Sequence, residues 1–124
     1  MVKKTFKIGK VIAARLANIK GVTVGNMVLP EDTPLPVIVY QKTSHVITYD
    51  KECSHSDVIF VIVTIAKNYA ESIRLSSEVN EQMQDVVATF DGLTCGYSRI
   101  KSIAEEVEDG CYIIRMDYNL RFTE

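Results

Sequence analysis

Apolar residues recur at three- and four-residue steps near the start of the chain. Ile8, Val11, Ile12, Leu16 and Ile19 fall on one arc of a helix, with Lys3, Lys7 and Lys10 on the opposite side. Gly21 is the expected stop. Arg15 projects into the apolar arc, either as a snorkelling rim residue or as a contact to a subunit or partner. A second helix is expected to open at Asn68, whose side chain and Glu71 form an N-cap and N3 pair resembling a capping box. Tyr69, Ile73, Val79, Met83, Val86, Val87 and Phe90 form its apolar face, Glu71, Arg74, Glu78, Glu81 and Asp85 its polar one, and Gly92 its end.

Between and after these helices the pattern changes to that of strands. A short strand is expected over 22–29, then a connector, 30–36, that holds all three prolines and is therefore stiff and extended. Val37 to Tyr49 is β-branched and aromatic around a polar middle, Gln41 to His45. Asp57 to Ala66 is apolar on both faces: Val58, Phe60 and Ile62 on one, Ile59, Val61, Val63 and Ile65 on the other. A strand with one wet face would alternate, so this one is expected to be covered twice, with another subunit as the second cover. Asp50 to Ser56 reads as a loop or hairpin tip. From Cys111 to Phe122 alternation is nearly complete, with Tyr112, Ile114, Met116, Tyr118, Leu120 and Phe122 inward. Asp109-Gly110 supplies the two positive-φ residues of a type I′ turn, and the partner strand, Leu93 to Val107, is expected to bulge near Ser98 to Lys101.

These elements predict an α+β fold: an antiparallel sheet of about four strands with two helices packed on one face, in the order helix, strand, strand, helix, strand, strand. The whole chain, 124 residues, is expected to be one domain. Area scaling gives about 20,000 Å² for the unfolded chain and about 6,700 Å² folded, enough burial for a core without staples. The composition, 47% hydrophobic and 24% charged, is that of a globular protein. Lys3 to Lys20 lacks an uninterrupted apolar segment, and the longest apolar run, Val58 to Ala66, is too short to span a bilayer, so neither secretion nor membrane insertion is expected.

Net charge is −2, which gives no global field for nucleic acid, but the ends differ. Residues 1–20 carry six bases and no acid, whereas residues 102–124 carry two bases and six acids. Such opposed ends favour head-to-tail association or make two solvated faces. The three cysteines, Cys53, Cys95 and Cys111, have no CxxC spacing and are expected as reduced cytoplasmic thiols.

Candidate chemistry is sparse. Cys53, His55 and His45 are the residue types zinc selects, but Cys53-x-His55 is not a recurrent ligand spacing and no fourth ligand is near in sequence. Cys53, His55 and Asp57 contain the types for nucleophilic catalysis, yet steps of two along a strand align such groups without making them converge. Glu105-Glu106 and Glu108-Asp109 sit beside a turn, where solvated acids are expected. Neither G-x-G-x-x-G nor a Walker A loop occurs, and the lysine face of the first helix is accompanied by no nucleic-acid motif. No enzyme activity, metal or cofactor is expected.

The order of elements, the segment PLPVIVYQ from Pro34 to Gln41, the helix opening Asn68-Tyr69-Ala70-Glu71, and the acidic turn into a final alternating strand together resemble the tail completion, or tail terminator, proteins of long-tailed bacteriophages and prophages. The resemblance covers roughly residues 8 to 122. It implies a structural protein that caps the tail tube, takes part in head–tail joining and acts as a ring, commonly six-fold. Its implied partners are itself, the tail tube protein and a head–neck connector protein, with no membrane and no sequence-specific nucleic acid; its place would be the virion tail, or the host cytoplasm during assembly. Expected contacts are Lys3, Lys7, Lys10, Arg15, Asp50, Lys51, Glu52, Ile59, Val61 and Val63. The alternatives are another phage neck or tail component, such as a connector or assembly factor, and an unrelated small binding module of ferredoxin-like layout.

Overall fold

The computed structural model of the chain describes residues 7–26, 32–49, 54–84, 88–90 and 93–123. Helix α1 spans Ile8–Leu16 and α2 spans Tyr69–Met83. The strands are β1 (Thr23–Asn26), β2 (Val37–Tyr49), β3 (Ser54–Ala66), β4 (Ala88–Phe90), β5 (Leu93–Glu108) and β6 (Cys111–Thr123). They form one six-stranded sheet in the order β1-β2-β3-β6-β5-β4.

The expected four-stranded antiparallel sheet is therefore corrected in two ways. The sheet has six strands, and it is mixed, because β1 pairs in parallel with β2, Thr23 beside Val37 through Asn26 beside Tyr40. The short strand expected over 22–29 is β1, which joins the sheet as an edge strand, and the order of elements gains β4 after α2. Both are short, four and three residues, and β4 carries no periodic signal of its own. The α+β class stands.

Register explains which residues meet the helices. Val58, Phe60, Ile62 and Thr64 of β3 face Leu120, Tyr118, Met116 and Ile114 of β6, and all eight are buried. On α2 the buried line is Ser72, Leu75, Val79 and Met83, and the Thr64 and Ser76 hydroxyls hydrogen-bond at 3.0 Å. On α1 it is Ile8, Val11, Ile12 and Leu16, which join the same core. Burying such a set of aliphatic side chains is worth roughly 1.5–3 kcal/mol each before conformational entropy opposes it.

The local signals act as chemistry requires. Asn68 accepts from the Glu71 amide at 2.8 Å, leaving α2 with a capped start. Arg74 bridges Glu71 at 2.7 Å and Glu78 at 3.0 Å on the wet face. Asp109 (φ 52°) and Gly110 (φ 75°) make the tight turn between β5 and β6, where glycine avoids the steric cost of positive φ. Two register shifts interrupt β5, at Cys95/Tyr97 and at Ile100/Ser102, the second within the stretch expected to bulge.

Both helices end earlier than expected. α1 closes at Ala17, four residues before Gly21. α2 stops at Met83, well before Gly92, and Ala88–Phe90 is a strand. The reason lies in β5: Ser98 donates from its hydroxyl to the Met83 carbonyl, and the Ile100 amide donates to the Gln84 side chain at 2.9 Å, so the end of α2 is held by a strand. Val86, Val87 and Gly92 lie outside the described residues. Among the described residues no helix is long and apolar enough to cross a membrane.

Candidate functional site

The exposed large apolar side chains among the described residues are six, and they fall into two groups. Tyr69 and Ile73 of α2 stand across an open groove from Ile103 and Val107 of β5; all four are 40–63% exposed. Val46 and Tyr49, at 57% and 66%, stand at the far end of β2.

The groove has a simple origin. α2 runs from Tyr112, which Tyr69 touches, to Ser98, which holds its end, and the inward-facing Ile114 and Met116 of β6 are buried while Ile103 and Val107 on the neighbouring β5 stay exposed beside the helix. Ile103 pairs with Met116, Glu105 with Ile114 and Val107 with Tyr112, all on the face that elsewhere meets helices. Tyr69 and Ile73 sit roughly a quarter-turn round α2 from its buried line, at about 100° per residue, and form the other wall. The larger hollow has a volume of about 340 Å³ and the smaller about 180 Å³; Glu105 lines both. Tyr69 and Tyr112 meet edge to face at 5.7 Å between ring centres. The end of the hairpin is acidic, through Glu105, Glu106, Glu108 and Asp109.

The opposite face of the sheet carries Ile59, Val61 and Val63. Val61 is buried at 9% exposure and the other two are half-buried, so this second apolar face of β3 is open only in part. Towards Val46 it is crossed by an ion pair, with Arg121 donating to both oxygens of Asp57 at 2.7 and 3.1 Å. The guanidinium of Arg121, hydrogen-bonded to that carboxylate, is raised above its usual pKa.

The remaining expected contacts are distributed over other surfaces. Lys7 and Lys10 are exposed on and beside α1. Arg15 is half-buried, and its Nε donates to the Gln82 carbonyl at 3.0 Å, tying α1 to the last turn of α2. Lys3, Asp50, Lys51 and Glu52 lie outside the described residues. The structure thus brings Ile59, Val61 and Val63 together and sets Lys7, Lys10 and Arg15 apart from them.

The metal and nucleophile candidates do not converge. His45 pairs with Val58 and so lies on the helix side, whereas His55 pairs with Thr123 and Thr48 on the other, its Nδ1 3.1 Å from the Thr123 hydroxyl. Cys53 lies outside the described residues, and among those described no three metal-binding side chains cluster. Burial pushes the Cys95 thiol up, which opposes nucleophilic use.

Sequence reasoning missed the groove. It placed Tyr69 and Ile73 on the core face of α2, although Leu75, which it did not use, belongs there. A signal was present: Tyr69 and Ile73 form a stripe displaced from the line through Leu75, Val79 and Met83.

No protein-family model matches the chain. No curated protein sequence matches it either. Solved structures do. A chain of the virion of a native gene transfer agent particle matches with a TM-score of 0.67 at 16% identity, covering 91% of this chain and 92% of that one. A second solved structure matches with a TM-score of 0.62 at 10% identity, over 98% of this chain and 92% of its own. These likenesses are of fold.

Proposed function

We propose that this protein is a structural subunit of a bacteriophage or phage-like particle, of the tail terminator kind. It closes the end of the tail tube, takes part in joining tail to head and works as a ring of identical copies. The reading rests chiefly on the fold shared, over nine-tenths of both chains, with a component of a gene transfer agent virion. The order of elements, with PLPVIVYQ entering β2, supports the tail terminator rather than another neck component.

The surfaces fit such a role. A ring needs two different patches on each copy, related by a rotation that closes. Here the apolar corners, and the contrast between the basic start and acidic hairpin, supply unlike patches. Lys7, Lys10, Arg15, Ile59, Val61 and Val63 are the contacts proposed within the described residues, and Lys3, Asp50, Lys51 and Glu52 those outside. The tail tube protein and a head–neck connector are the proposed partners, and the role needs no catalysis.

Electron microscopy of the purified protein tests this reading. It expects closed rings with a central opening that seat on the ends of isolated tail tubes. Discrete particles without a ring outline, or rings that ignore tube ends, would count against it.

A further inference from the structure

We propose that the groove between α2 and the β5–β6 hairpin is the socket for the far end of β2, carrying Val46 and Tyr49, of a second copy of this chain. This rests on the ring reading and names the contact within it.

Four observations point to that occupant. First, the groove walls and the β2 end are the two groups of exposed large apolar residues among those described. Second, they stand at diagonal corners of one sheet. Val107 lies at the end where Tyr112 meets Ala66, and Tyr49 at the other end, beside Ser54, with β3 and β6 between the two strands. Patches so placed cannot meet within one chain but join copies head to tail. Third, Val46 and Tyr49 lie on opposite faces of β2, by their registers with Asp57 and Ser54. A flat partner covers one of them; a cleft walled by a helix and a strand takes both. Fourth, β2 itself carries Lys42 and no acid, so the strand brings no like charge to the four acids at the end of the hairpin beside the groove.

The backbone agrees. Among the described residues β2 has β3 alone beside it from Gln41 to Tyr49, and β5 has β6 alone beside it from Tyr97 to Glu108. Exposed edges of this length are hazards unless covered, and a neighbouring copy would cover them.

The test uses single variants and their mixture. Ile103→Asp spoils the socket and Tyr49→Asp the plug; both side chains are mostly exposed, so circular dichroism should be unchanged. Val107→Asp is the second socket variant should Ile103→Asp fail to fold. In light scattering, wild type is expected as a closed oligomer and each variant as a 13.9 kDa monomer. An equal mixture should give a dimer, because each pair retains one intact plug and one intact socket. An oligomeric wild type whose variants keep its mass overturns the socket and leaves the ring standing. A monomeric wild type overturns the ring, and the socket with it.

Discussion

The Tyr118 hydroxyl, at the buried centre of β6, donates to Oδ1 of Asn80 on α2 at 2.9 Å. This bond fixes the rotation of α2 over the sheet, and with it the angle at which Tyr69 and Ile73 face Ile103. Burial also drives the phenol pKa well above its usual value, so it remains a donor at all ordinary pH. Tyr118→Phe leaves Asn80 without this donor and is expected to cost about 1–3 kcal/mol in denaturant unfolding.

Phe60 lies at 2% exposure under the helices, so Phe60→Ala is expected to cost roughly 3–5 kcal/mol. Ile103→Ala, at an open surface, should change monomer stability by no more than about 0.5 kcal/mol. Urea unfolding of the two variants separates a core residue from a surface one.

Asn68→Ala removes the acceptor at the start of α2 and should cost about 1 kcal/mol, whereas Asn68→Asp should keep most of it. Thermal unfolding of both variants reads the difference.

His45 has its pKa lowered from the ordinary 6.5, first by burial and then by Lys42, whose ammonium lies 2.8 Å from Nδ1. The unfolded chain therefore binds the proton first as pH falls. This contribution to stability is full above the unfolded value and declines as pH drops below it. His45→Gln should flatten the pH dependence of the unfolding midpoint between about pH 7 and 5.

Cys95 is 1% exposed, with its thiol pushed up by burial, and Cys111 is half-exposed. Iodoacetamide should label Cys111 in the native protein well before Cys95, as peptide mass mapping would read. Equal labelling would mean that the core opens near Leu120 and Phe122.

Much of the architecture was legible because its signals are local. The alternation of 111–122, the Asp109-Gly110 turn and the Asn68 cap each set a structure within a few residues. The errors arose where distant contacts decide. Val86, Val87 and Phe90 continue a helical spacing, yet Ser98 and Ile100, over a dozen residues on, hold the end of α2 at Met83. The parallel pairing of Thr23–Asn26 with Val37–Tyr40 likewise depends on a partner beyond the proline connector. The apolar face of Ile59, Val61 and Val63 was visible in sequence, whereas the groove showed there only as the offset of Tyr69 and Ile73, because its other wall, Ile103 and Val107, is set by where β5 lies beside α2.

The solution mass of the purified protein, by light scattering behind a sizing column, tests the central claim most directly. The account predicts a closed oligomer near six times 13.9 kDa that does not grow with concentration. A 13.9 kDa monomer at every concentration would contradict it.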